Sequence, residues 1–394
     1  MTRARLLAFG FRPMTMVGLL LAALLASPAR AAEPPAAAVP TAGAKASSAV
    51  SQVLELVARQ AGRHAFRGVR SQQVIRQDMV LDAQARVEYQ DALTHQIALQ
   101  SPKDLTGLNM TMERGRLTVM FPRETLVFQS DVPVAGEEAR DLVLGNLLLD
   151  QAALQRNYRV TVEPELDIVA LYPCYKLTAE PTGGYGPNSP PGHRFWVAKE
   201  NGLILKEERF WGPQENAYFI SRFDSLSTSK RPIVRLDIPK GASKLKLAAG
   251  SPTEMRRFTS LDQARAAGKA IAVPTNVPAS FQLRVIDVMS LYGTDLVFLR
   301  YDDGLSRMVV TYRTKPNVFL TLVAGAFALA LVDKISALSY HAPNNYAVVE
   351  KGDYLVYAYG DLYLETLKGI ANSVPIPGAP KQGHRPATFA FGLN

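Results

Sequence analysis

Between residues 66 and 128 apolar and polar positions alternate in short runs, at 69–77, 87–89, 95–99, 108–112, 117–121 and 125–128. Pro102, Gly107, the Glu113-Arg114-Gly115 stretch and Pro122 separate the runs. Period-two alternation broken by turn residues predicts an antiparallel sheet. A different period precedes it: Val50, Val53, Leu54, Val57 and Ala58 recur at helical spacing and predict a helix over 49–61. A second helix is predicted at 137–155, where Leu142, Leu144, Leu147, Leu148, Leu149 and Leu154 crowd more leucine than one buried face needs. A sheet that curls strongly encloses such a helix rather than packing on another sheet.

The pattern returns to strands from Asn157 to Trp211, with Asn201-Gly202 between two near-alternating runs as a hairpin signal whose two central positions call for positive φ. Residues 227–254 are basic and turn-rich, with at most one short strand at 233–238, and read as a linker. Beyond it, Thr259 or Ser260 caps a short helix that Gly268 ends. Strands are predicted at 295–301 and 306–312, joined by Asp302-Asp303-Gly304, then at 346–350 and 353–360, before a closing helix at 362–373. The fold class is therefore α+β: a curled antiparallel sheet, a half-barrel enclosing helices, followed by a smaller α+β domain.

Three features place the chain. Arg3, Arg5 and Arg12 precede an uncharged Leu-rich run, and Ala29-Arg30-Ala31 offers the small-x-small site of a signal peptidase. Residues 1–31 are thus read as a cleaved signal peptide, 32–47 as a disordered lead-in, 48–226 as the first domain, 227–254 as the linker, 255–376 as the second domain and 377–394 as a tail. Removing the four arginines of the leader takes the formal charge from +9 to +5. That mild excess, with no concentrated basic block, suits anionic lipid or an acidic partner and gives no reason to expect nucleic acid. Cys174 is the sole cysteine, so no intramolecular disulfide stabilises the exported chain.

Catalytic and metal-binding patterns do not emerge. The five histidines have neither His-x-x-x-His nor His-Glu-x-x-His spacing, and no Gly-x-Ser-x-Gly elbow is present. Gly183-Gly184-Tyr185-Gly186 runs into Pro187 and reads as a loop. Glu207 and Glu208, adjacent on a strand, face opposite sides and cannot share one site; they read as ordinary strand charges. Cys174 reads as a small buried hydrophobe. No catalytic residue, metal site or cofactor is predicted. Residues 318–332 are fifteen uncharged residues, read first as a buried helix and second as an element exposed to a membrane or partner.

Several word patterns coincide with one family. Asn157-Tyr158-x-Val160, Pro173, Arg194-Phe195-Trp196, Gly202-Leu203 and Lys206-x-Glu208 resemble the lipoprotein-carrier-like domain of the RseB/MucB family of periplasmic regulators and its lipoprotein-sorting relatives. Pro102-x-x-Leu105-x-Gly107 and Phe121-Pro122 extend the match. Val277-Pro278-x-x-Phe281-x-Leu283 and Tyr301-Asp302-Asp303-Gly304-Leu305 resemble the C-terminal domain of that family. The resemblance implies a non-enzymatic periplasmic protein that binds a membrane-anchored anti-sigma factor or another envelope protein, and that takes up acyl chains or lipid. A lipid or lipoprotein carrier is the alternative. An apolar cavity lined by Val119, Phe121, Leu144, Leu147, Leu148, Trp196 and Trp211 is expected in the first domain. Partner contacts are expected at Tyr301, Leu305, Phe319 and Leu322.

Overall fold

The structure is a computed structural model; it describes residues 48–60, 63–76, 79–103, 105–114, 116–121, 126–130, 150–212, 217–228, 238–247, 253–291, 294–314, 345–376 and 388–391. The signal peptide, the lead-in and residues 318–332 lie outside these. So does most of the helix predicted at 137–155.

The first unit opens with α1 (Ser48–Gln60), followed by β1 (Phe66–Arg76), β2 (Met79–Asp91), β3 (Thr94–Ser101), β4 (Asn109–Glu113), β5 (Arg116–Phe121) and β6 (Leu126–Ser130). Then come α2 (Gln151–Asn157), β7 (Tyr158–Val169), β8 (Tyr172–Pro181), β9 (Gly192–Ala198), β10 (Ile204–Phe210), β11 (Phe219–Ser227) and β12 (Ser243–Leu247). All twelve strands form one open sheet in the order β12-β6-β5-β4-β3-β2-β1-β11-β10-β9-β8-β7. Every pairing is antiparallel except β12 on β6. The sheet rolls far enough that β7 approaches β11 across three intervening strands.

Its main apolar cluster follows directly from the pattern. The helical stripe Val50, Val53, Leu54 and Val57 packs on Leu177, Phe195 and Val197, residues of β8 and β9 that share one face through the Leu177–Phe195 pairing. A second cluster joins Phe66, Val87, Tyr89, Trp196, Leu205 and Phe223.

The second unit comprises β13 (Thr253–Phe258), α3 (Leu261–Ala266), β14 (Gln282–Leu291), β15 (Thr294–Asp302), β16 (Arg307–Thr314), β17 (Asn345–Lys351), β18 (Tyr354–Gly360), α4 (Leu364–Ser373) and β19 (Thr388–Phe391). Its strands make an open antiparallel sheet ordered β13-β14-β15-β16-β18-β17-β19. Leu367, Ile370 and Ala371 of α4 are buried with Ile286, Leu299, Val310 and Val356 of the sheet. Asp287, fully buried, is held between Arg257 at 2.6 Å and Arg300 at 3.0 Å, so its charge is paired on both neighbouring strands.

Three expectations change. Residues 243–247, in the stretch read as a linker, form β12 of the first sheet, whereas Ile238 is not in a strand and 233–237 lie outside the described residues. The tail supplies β19, which pairs with β17. The Asn201-Gly202 turn is not a two-residue hairpin: five residues separate β9 from β10, only Gly202 has positive φ (67°), and Asn201 Oδ1 accepts the Leu203 amide at 3.1 Å. The asparagine serves as a side-chain turn former, a role it fills as well as the left-handed one.

Burial separates two leucines of one hairpin. Leu177 is fully buried and Leu171 is 94% exposed. Leu177→Ala is expected to cost about 2–5 kcal/mol in urea unfolding, and Leu171→Ala within about 0.5 kcal/mol of zero. Equal costs would contradict the packing described.

Candidate functional site

The two sheets meet at a joint made largely of polar side chains, and this is the most chemically distinctive place among the described residues. It is built around the β15–β16 turn, Asp303-Gly304-Leu305-Ser306. Asp303 organises the turn from within, its Oδ1 accepting the amides of Leu305 (3.0 Å) and Ser306 (2.8 Å). Gly304 has φ of 107° and lies against the backbone of α2; a Cβ there would stand 2.5 Å from Leu154 N and 2.9 Å from Ala153 C. Only glycine allows that approach. Leu305 then enters the core of the other unit, fully buried with Val57, Leu154, Tyr158, Leu177 and Phe195.

The C-terminal end of α2 answers the turn. Asn157 Nδ2 donates to the Asp303 carbonyl (2.7 Å) and the Ser280 carbonyl (3.2 Å). The Tyr158 hydroxyl donates to Asp303 Oδ2 at 2.9 Å and lies 3.1 Å from Ser306 Oγ. His193 Nε2 is 3.2 Å from the same Oγ. At the N-terminal end of α2, Asp150 caps the helix through the Ala153 amide and also accepts from Arg284, which binds Asp302 at 3.1 Å.

A second set of contacts runs beside this one. Arg209, on β10, lies between Glu207 of its own strand (2.8 Å) and Asp361 of the second unit (2.5 Å). Asp361 also accepts the Arg307 amide at 3.1 Å. Trp211 stacks on Tyr363, ring centroids 4.1 Å apart, and on Tyr218. Thr366 of α4 donates to the Pro187 carbonyl of the loop that the glycines 183, 184 and 186 introduce.

Burial governs the charges. Burial raises the Asp303 carboxyl to about 7, against the stabilising pull of the Leu305 and Ser306 amides and the Tyr158 hydroxyl. Burial likewise raises the Tyr158 phenol, and the Asp303 charge adds to it. For Glu207 burial is outweighed by Arg209 and His193, and the carboxyl falls to about 2. Arg209 is raised despite burial because Asp361 and Glu207 flank it.

Ser306, His193 and Glu207 superficially have the composition of a nucleophile, base and orienting acid. The arrangement does not serve that chemistry: Ser306 and His193 are fully buried, and the His193 Nδ1 to Glu207 distance of 3.5 Å is long for an orienting hydrogen bond. Ser306 instead pairs with His193 Nε2 and the Tyr158 hydroxyl, and Glu207 pairs with Arg209, across a closed joint. Among the described residues no group of three or more His, Cys, Asp or Glu is placed to hold a metal ion.

The anticipated site residues fall in several places. Val119 and Phe121 are buried on β5, while Leu144, Leu147 and Leu148 lie outside the described residues. Trp196 is buried away from Trp211, its Nε1 donating to Asp167 at 2.7 Å and Lys206 lying 4.0 Å over its ring. Trp211 belongs to the joint. Tyr301 is buried in the second core and Leu305 in the first, so both are engaged within the chain rather than displayed. Phe319 and Leu322 lie outside the described residues. A polar cleft of about 380 Å³ opens elsewhere, lined by Ser71, Asp82, Gln84, Lys206 and Arg222. Cys174 is buried, and burial raises its thiol to about 11. Glu207 and Glu208 do face opposite sides, but Glu207 is a buried member of the joint rather than an ordinary strand charge; its signal is the Glu-x-Arg spacing with Arg209, which puts both on one face of β10.

No family model matches the chain, and no curated protein matches it. Among solved structures the chain is similar to MucB, with 15% identity over 83% of this chain and 98% of that one at a TM-score of 0.48. It is similar in the same degree to the Pseudomonas aeruginosa MucA/MucB complex, with 15% identity, 84% and 100% coverage and a TM-score of 0.48. A LolA superfamily protein from Nitrosomonas europaea overlaps 46% of this chain and 94% of its own length, with 12% identity and a TM-score of 0.23. At such overlap nothing about activity follows from the likeness.

Two tests address the joint. Gly304→Ala is expected to cost about 2 kcal/mol or more, from a strained left-handed residue and a backbone clash, and to raise hydrogen exchange in α2 as well as in its own turn. Unchanged exchange in α2 would contradict the contact. For pH, Asp303 has a folded pKa above its unfolded value of about 3.9, so it contributes stability below pH 4 that is lost as pH rises through 7. Glu207, depressed to about 2, contributes stability above its unfolded value of about 4.3 that is lost on acidification. The melting temperature should therefore fall between mildly acidic and alkaline buffer, and Asp303→Asn, whose amide oxygen still accepts the two turn amides, should flatten that fall. An identical fall in the variant would rule Asp303 out as its source.

Proposed function

We propose that the chain is an exported, periplasmic, non-enzymatic binding protein that regulates an envelope-stress pathway by contacting a membrane-anchored anti-sigma factor. The observation that carries this reading is the seating of the 303–305 turn on α2 and β7. Asn157-Tyr158 and Asp302-Asp303-Gly304-Leu305, distant in sequence and each part of the family resemblance, meet in one joint. A single-sheet carrier has no use for that joint; a two-unit regulator depends on it. MucB has been solved in complex with the periplasmic part of MucA, and the present proposal extends a partner of that kind to this chain.

The same proposal includes an acyl-chain site in the first unit, lined by Val119 and Phe121 together with Leu144, Leu147 and Leu148. A ligand that prefers one arrangement of the two units shifts partner affinity only by the ratio of its affinities for the two arrangements, and the partner shifts ligand affinity by the same factor. A joint of ion pairs and hydrogen bonds, one group of which titrates near neutrality, is a suitable element for such a ligand to bias.

The test is capture with the full mature chain from detergent-solubilised envelope, followed by mass spectrometry and by rebinding of the purified periplasmic segment of whatever is recovered. The reading predicts a single-span membrane protein with a cytoplasmic sigma-factor-binding region. It also predicts that deleting the gene raises envelope-stress transcription in unstressed cells. Recovery of lipoproteins and lipid alone, with transcription unchanged, would favour the carrier reading instead.

A further inference from the structure

The exposed apolar side chains of the first sheet are not scattered. The register sets the turns β2–β3, β4–β5, β7–β8 and β9–β10 at one end of it: Tyr89 pairs with both Phe66 and His95, Thr94 with Glu113, Arg67 with Ser227, Ile204 with Val197 and Cys174 with Ala198. Among the described residues the exposed large hydrophobics are Val80, Leu93, Leu166, Ile168 and Leu171. Four of the five are at this end, Leu93 in the β2–β3 turn and the others on the β7–β8 hairpin; Val80 is at the opposite end.

The hairpin tip is built to display its leucine. Ala170 and Leu171 have φ of 50° and 72°, so both central residues of the turn are left-handed where Asn or Gly is the ordinary choice. Leu171 is 94% exposed and Ile168 71%. A strained backbone that holds a large apolar side chain in water points from an observed outlier to a role. Exposed cations ring the same end: Arg67 beside β11, Arg114 and Arg116 on the β4–β5 turn, and Lys199 on the β9–β10 turn. The acids there are Glu88, which faces Arg67 across β1 and β2, Asp91, which accepts the Leu93 amide, Glu113, Glu165, Glu200 and Asp167, whose carboxylate is bound by Trp196, so the end carries both signs of charge.

Shape selects the occupant. A stable protein interface takes about 800 Å² from each partner in a continuous patch. Four side chains divided between the β2–β3 turn and the β7–β8 hairpin supply far less. A bilayer interface requires no shape complement: it accepts an apolar tip among the acyl chains and cations among its head groups. We propose that this end of the first sheet docks on a phospholipid surface, inserting the Ile168–Leu171 hairpin tip among the acyl chains with the charged side chains of both signs, Arg114, Arg116 and Lys199 among them, at the level of the head groups. The contact is peripheral and reversible, since neither signal alone anchors a protein firmly. It does not depend on the identity of any protein partner.

The experiment uses the full mature chain with vesicles of phosphatidylcholine and phosphatidylglycerol. Leu171→Trp should give added fluorescence that shifts to the blue on vesicles and is quenched by brominated acyl chains, whereas added fluorescence from Val80→Trp, at the opposite end, should not. Leu171→Glu, at a solvent-exposed position, should keep its melting temperature and lower vesicle partition at least tenfold. Equal quenching at both positions, or none at either, overturns the proposal. It is overturned as well if Leu171→Glu leaves vesicle partition unchanged and instead converts a dimer to a monomer, which would assign the tip to a second copy of the chain.

Discussion

The arrangement of the two sheets depends on the burial of one carboxylate-centred turn. Asp303 folds its own turn by accepting two amides, and the same carboxylate accepts the Tyr158 hydroxyl from the opposite unit. Because a buried acceptor left unpaired costs about 1–3 kcal/mol, more for a charged group, the turn and its receptor stabilise each other. Gly304 and Leu305 are then fixed in place: the first allows backbone contact, the second fills the core beneath.

Around that centre the joint is closed by ion pairs and hydrogen bonds as well as by Leu305 and the Trp211–Tyr363 stack. Arg209 draws Glu207 from its own strand and Asp361 from the other unit. Such a pair adds little net stability over apolar side chains of the same shape, but it is costly to break on one side only. It therefore specifies how the sheets dock more than how tightly. A regulator that reads one unit through the other needs that specification.

Much of this was legible in the sequence. The stripe at Val50, Val53, Leu54 and Val57 and the alternating runs from 66 to 128 became α1 and β1 to β6 because burial on one face imposes those periods. The Ser260 cap and Gly268 stop of α3 were legible because their chemistry is local; Ser260 Oγ accepts the Gln263 amide and Gly268 has φ of 75°. The joint was not legible. Asn157-Tyr158 and Asp303-Gly304 each read as local turn or helix-end chemistry, and nothing in a linear pattern shows that they touch. The left-handed turn at Ala170-Leu171 was hidden for the opposite reason: its residues are ones that local rules assign elsewhere. The role of Glu207 was likewise invisible until β10 met the second sheet.

The central claim is that the two sheets are specified as one docked unit through charges that need each other. A double-mutant cycle on Arg209→Met and Asp361→Asn tests it most directly, with unfolding followed by denaturant titration of the full mature chain. Each single change should cost about 3 kcal/mol or more, and the pair together little beyond either alone, a coupling of at least about 2 kcal/mol. Costs that add to within about 0.5 kcal/mol would show that the two side chains act independently and would contradict the account.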